Sequence, residues 1–218
     1  MSKLRKAWLA AVVAGACGGL LLPAGVAQAE PVAVASASAG TVDVTAGAQT
    51  VQEGPIAECR LGEQDSASSP GVEAGTTKFG KSESQCSRAA DTGFATSMVR
   101  GQRFETKVLR KYGGPVLKVR SFSARCDTTT NGASGLVELS DVTGIEVPPS
   151  IPAGYTVDVP GQDGKPVARV VLNEIVVPDP PDGSLTTHAM RVELFPDGGP
   201  VSGEILVGSA SCAPYGWD

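Results

Sequence analysis

VARVVLNEIVVPDPPDGSLTTHAMRVELFPDGGPVSGEILVGSASC, running from Val167 to Cys212, is the stretch whose reading decides the fold. In its middle, Thr186, His188, Met190, Val192 and Leu194 alternate with Leu185, Thr187, Ala189, Arg191 and Glu193. A period of two with one apolar face is the signature of a half-buried strand, and it places His188 on the face of Met190, Val192 and Leu194. Two turns, Pro178 to Gly183 and Pro196 to Pro200, combine proline, aspartate and glycine. Proline presets φ, aspartate starts Asx-type turns, and glycine accepts positive φ, so the three segments are expected to fold back as an antiparallel meander.

Upstream, Val116 to Cys126 and Gly135 to Asp141 read as two further strands joined by the Thr/Asn/Gly turn Asp127 to Ser134. Residues 91–115 fit helical and strand spacing alike, and the glycines at 93, 101, 113 and 114 favour strand. Short runs punctuated by turns predict an all-β chain, an antiparallel β-sandwich with a partly closed β-barrel as the alternative.

Lys3, Arg5 and Lys6, the apolar run Ala7 to Leu22, and Ala27-Gln28-Ala29 before Glu30 have the form of a signal peptide over residues 1–29. A secreted or extracellular chain is therefore expected, with no membrane span after cleavage. The remaining 189 residues carry 15 basic and 23 acidic side chains, a net charge of −8, which disfavours nucleic acid as a partner. Glu30 to Gly54, rich in Ala, Gly, Ser and Thr, is expected to be a flexible N-terminal arm or one loosely added strand. Residues 55–214 then make a single β domain, and 215–218 a short tail.

Four cysteines follow the cleavage site: Cys59, Cys86, Cys126 and Cys212. An even count in an exported chain predicts two disulfides, and of the three connectivities Cys59–Cys86 with Cys126–Cys212 is favoured. The first would clip a stretch with little to bury; the second would tie an early strand to the last. No Cys-x-x-Cys spacing accompanies the single histidine, so no metal or other cofactor is expected.

Residues 116–212 also resemble the actinobacterial choice-of-anchor P family of exported β domains. The resemblance rests on a Leu172-Asn173-Glu174 strand, on Gly183-Ser184-Leu185-Thr186 continuing into Ala189-Met190, and on the closing Val207-Gly208-Ser209-Ala210. It implies a secreted, surface-associated β domain, and its motifs transfer no catalytic residue. His188 departs from the asparagine common in that family. Tyr215 to Asp218 shows no sorting motif, so release, or adhesion through the fold, is expected in place of covalent anchoring.

The charge distribution supplies the candidate site. Residues 100–125 hold eight basic side chains against Glu105 alone, whereas 126–218 hold three basic against thirteen acidic. Arg103, Lys107, Lys118 and Arg120 are the candidate anion-binding residues, for a cell-wall polymer or an envelope protein; the plainer reading pairs them with acidic neighbours inside one sheet. Asn173 is expected to bond backbone at a strand end and Glu174 to face water. Asp179, Asp182 and Asp197 lack the spacing of a calcium loop and suit turns. A non-catalytic binding or structural module is the expected function. The alternative is a secreted hydrolase with His188 as general base and Ser184 or Ser209 as nucleophile.

Overall fold

The computed structural model describes residues 32–216. The expected signal peptide with its cleavage site, and the last two residues of the tail, lie outside them. Within them the chain forms β1 (Val34–Ala46), β2 (Gln49–Ile56), β3 (Cys59–Arg60), β4 (Ser66–Ser69), β5 (Val72–Ala74), β6 (Thr77–Phe79), β7 (Ser82–Arg88) and β8 (Ala95–Thr106). A 3-10 turn at Arg110–Tyr112 precedes β9 (Leu117–Thr129), β10 (Gly132–Ser140), β11 (Tyr155–Pro160), β12 (Pro166–Val176), β13 (Leu185–Leu194) and β14 (Val201–Ala213). The first sheet runs β11-β12-β13-β14-β1-β2, with β3 also on β1; the second runs β10-β9-β8-β6-β5, with β7 on β8 and β4 on β7. Every pairing is antiparallel, and the sheets remain open.

The meander is present as β12-β13-β14, extended by β11. The β9–β10 turn is tighter than expected. Thr129 pairs with Gly132, leaving only Thr130 and Asn131 in the bend where an eight-residue connection was expected.

Residues 32–54 differ more sharply from expectation, the first two of the expected arm lying outside the described residues. Val34–Ala46 is no arm but an interior strand, paired with β14 from Val34↔Ala213 to Ala46↔Val201 and with β2 and β3 on its other side. Its small side chains are the reason it fits there. A Cβ on Gly40 would lie 2.3 Å from the Leu206 carbonyl oxygen and 2.6 Å from the Phe79 ring. Little apolar payload of its own is needed when neighbours supply the bulk, and Ala35, Ala37, Ala39 and Val42 are all buried.

Both expected disulfides form, and each links one sheet to the other. Cys59 in β3 meets Cys86 in β7 with a Cα separation of 5.8 Å, and Cys126 in β9 meets Cys212 in β14 at 5.6 Å. Phe79 and Phe104 pack edge to face at 5.1 Å between the sheets. Val142, Ile145, Val147 and Ile151, from the Pro-rich segment after β10, pack against the same core.

Each sheet is creased along one line. In β13, Ala189 and Met190 are consecutive and both buried, so inward-facing side chains switch from Thr187 and Ala189 to Met190, Val192 and Leu194. The ladders skip the positions of Asn173, Ala189, Gly208 and Ala39 without changing register. Asn173 has φ +52° and Gly208 φ +61°, left-handed residues that reverse the pleat of their strands. His188 consequently faces outward, opposite to the face expected for it. In the second sheet Arg103 (φ +55°) and Asp141 (φ +50°) mark the corresponding line through Arg120.

Candidate functional site

The four cations expected to bind an anion do not converge as free charges. Glu105 on β8 accepts from both Lys107 (3.0 Å) and Lys118 (2.9 Å), the latter directly opposite it across the β8–β9 ladder. Lys118 first and Lys107 second hold the Glu105 carboxyl below its ordinary pKa. Arg120 pairs with Asp141 at 2.9 Å. Among the described residues only Arg103 of the four forms no ion pair, and it sits exposed on the crease. Three of the four candidate cations are thus met by acidic groups, Lys118 by its partner across the ladder.

A different set lines a cleft beside that crease. At the crease Gln102 and Arg103 on β8, and Arg120 and Ser121 on β9, are consecutive outward residues on adjacent strands. Just before it, Gly101 has no side chain and Phe122 turns inward. The outer face is therefore left with a cleft of about 380 Å³ bounded by Lys81, Arg100, Gln102, Ser123, Glu138 and Ser140. A second cleft of about 550 Å³, on the side of β4, shares Glu83 and Arg100 with the first.

Register explains the continuity, because Ser68, Glu83, Arg100, Ser123 and Glu138 face one another in turn across β4, β7, β8, β9 and β10. Five strands at about 4.8 Å spacing make a trough about 19 Å long. Ser123 donates to Glu138 (3.2 Å), and the Ser121 and Ser140 hydroxyls bond each other (2.8 Å). The side chains of Lys81, Glu83, Arg100 and Gln102 have no polar partner among the described residues. Their donors and acceptors are open to a ligand.

Arg100 belonged to the basic run visible in the sequence. What would have singled it out is the alternation of Ala95, Ser97, Val99 and Gly101, all inward, against Thr96, Met98 and Arg100. Lys81, Glu83 and Gln102 carried no comparable signal, since only pairing brings β7 beside β8.

A second polar row crosses the outer face of the first sheet. Ser38, Ser209, His188 and Glu174 lie opposite one another across β1, β14, β13 and β12. Serine, histidine and glutamate in line invite comparison with a hydrolytic triad, but among the described residues the bonds that such chemistry needs are not made. Glu174 is 9% exposed rather than facing water, and both its oxygens accept from Arg191, Oε2 from Nε at 3.0 Å and Oε1 from Nη2 at 2.5 Å. The His188 Nδ1 is buried and has no partner among the described residues. Ser184, the other serine considered as nucleophile, is 8% exposed and lies in the turn where its N–H donates to Asp182 (2.8 Å). Asn173 donates to the Ile151 carbonyl (3.2 Å), the expected bond to backbone, made from within β12 rather than at a strand end.

Burial holds the His188 pKa below its ordinary value of 6.5; Glu174 opposes that shift and Arg191 adds to it. The unfolded chain therefore takes up this proton at a higher pH than the folded one, and stability falls as pH drops from 6.5 toward the lower folded value. Urea midpoints measured from about pH 7 to about pH 5 should decline for the wild type, and His188→Gln should flatten that part of the profile.

Among the described residues no group of three or more His, Cys, Asp or Glu side chains is arranged to hold a metal ion. No helix among them is long and apolar enough to cross a membrane. No family model, no curated protein and no solved structure matches the chain. The two interior disulfides are consistent with an extracellular location.

Proposed function

We propose that the protein is a secreted, non-catalytic binding module of the cell exterior, and that the trough on its second sheet holds a polar cell-wall polymer. One observation carries this reading: Lys81, Glu83, Arg100 and Gln102 line clefts on a single face without engaging one another or their neighbours. Two cations, two carboxylates counting Glu138, an amide and several hydroxyls suit a chain of hydroxyl and carboxylate groups rather than an apolar ligand. The mature net charge of −8 keeps general attraction to polyanions low, so recognition is local to this face.

Kinship with the choice-of-anchor P domains belongs to the same proposal. Its support is that three resembling motifs meet in one row of the structure, where Asn173 of Leu-Asn-Glu and Gly208 of Val-Gly-Ser-Ala flank Ala189 of Ala-Met. Motifs that set the crease have a structural reason to occur together.

The test is retention of the purified mature protein on isolated wall fractions at low and high salt. Arg100→Ala combined with Gln102→Ala should reduce retention at least about tenfold, the scale of one or two lost charge-assisted hydrogen bonds. Arg169→Ala, which removes a cation of the other sheet paired with Asp158, should leave retention unchanged. No retention by the wild type in any fraction would sink the proposal.

A further inference from the structure

The first sheet ends on β11, whose far side no other strand takes up among the described residues. Gly154 N–H donates to the Asn173 carbonyl, so Gly154, Thr156 and Asp158 turn their backbone groups toward β12. By the same alternation Tyr155, Val157 and Val159 turn theirs away. Pro152 accepts from the Tyr155 N–H, whereas Val157, at the centre of the strand, keeps an N–H and a carbonyl on the open side.

That open side is one wall of a groove of about 700 Å³, whose opposite wall is formed by Gly113 to Pro115 and Gly144 to Glu146. Its lining is mainly aliphatic, from Ile145, Val157, Val159 and the prolines at 115 and 160. Only two charged residues line it, and both are acidic. Asp158 is engaged by Arg169 at 2.9 Å, while Glu146 is exposed and has no ion-pair partner among the described residues.

We infer that this groove is a strand-addition site for an extended peptide segment of another protein, one that alternates aliphatic residues with lysine or arginine. The peptide would pair with the Val157 backbone, set its aliphatic side chains among Ile145 and Val157, and place a cation beside Glu146. An unpaired ladder edge recognises any extended chain; the walls and the single uncompensated carboxylate select among such chains. The site belongs to the first sheet and is independent of the polymer trough.

The probe is a capped octapeptide of alternating valine and lysine, with its glutamate-for-lysine counterpart as control, titrated into the mature protein and followed by fluorescence anisotropy and by backbone amide shifts. Expected results are binding of the lysine peptide with the largest shifts at Val157 and its β11 neighbours, and at least about tenfold weaker binding to Val157→Pro. Proline is tolerated where the lost N–H faces outward on an edge strand, so the β11–β12 ladder is kept. Glu146→Arg leaves the backbone untouched, and it should weaken the lysine peptide and favour the glutamate one. Equal binding of the lysine peptide to the wild type and both variants, or shifts confined to other strands, would overturn the inference. A concentration-dependent dimer abolished by Val157→Pro, with no peptide effect, would assign the edge to a second copy of the chain and overturn it as well.

Discussion

Cys126→Ala combined with Cys212→Ala should lower the free energy of unfolding by about 4 to 5 kcal/mol, enough to leave much of the population unfolded at 37 °C. This disulfide closes a segment of 86 residues, against 27 for Cys59–Cys86, and the entropy removed from the unfolded chain grows with the logarithm of that length. Position adds to length, because the bridge fastens β9 to β14 through a buried layer in which both cysteines are fully covered. The Cys59→Ala, Cys86→Ala pair should cost less, about 3.5 kcal/mol by the same relation. Urea denaturation of the two double variants measures both, and equal losses would contradict the ranking.

Phe122→Ala is the second change with a large expected effect, a loss of about 3 to 5 kcal/mol. The ring is 4% exposed and fills the space between the two sheets where their creases approach each other. A Cβ on Gly101, the residue opposite Phe122 on β8, would fall 2.1 Å from the ring; one on Gly208, in β14 of the facing sheet, would fall 2.7 Å from it. Two glycines thus vacate the volume that one aromatic ring occupies, and no small shift makes room for both. Gly101→Ala alone should therefore cost about 1 to 3 kcal/mol by overpacking. In the Phe122→Ala background the same change should cost little or recover stability, since the clash is gone. The coupling is read from a double-mutant cycle in urea, and additive effects would show that the ring and Gly101 do not share this space.

The crease at Ala189 shows where sequence reasoning reached and where it stopped. Strict alternation located β13 and its neighbours, because a half-buried strand must present apolar residues every second position. It failed at Ala189, where the pleat reverses and His188 passes to the outer face. The cause sits in other strands, in the left-handed Asn173 and Gly208 on either side, and an alternation count along one segment has no access to its neighbours' φ values. The Ala/Ser/Gly-rich β1 was misjudged for a related reason: small residues look like a chain with nothing to bury until Phe79 and Leu206 are seen pressed against them.

Of the candidate site, the concentration of basic residues between 100 and 125 was legible, but which of them are free was not. Lys118 and Arg120 lose their availability to Glu105 and Asp141 on neighbouring segments, and Lys107 to Glu105 two residues before it, whereas Arg100, facing Glu83 and Ser123, keeps its own. Register depends on how separate hairpins dock, and that is a long-range choice.

By itself the amino-acid sequence determined the local matters: antiparallel strands from a period of two, their reversals from proline, aspartate and glycine, and two disulfides from an even count of cysteines. Tertiary structure alone decided which faces are wet, which charges cancel and which edge stays open. Each of those depends on the residue that lies across a ladder or between the sheets, and separation along the chain does not encode that neighbour.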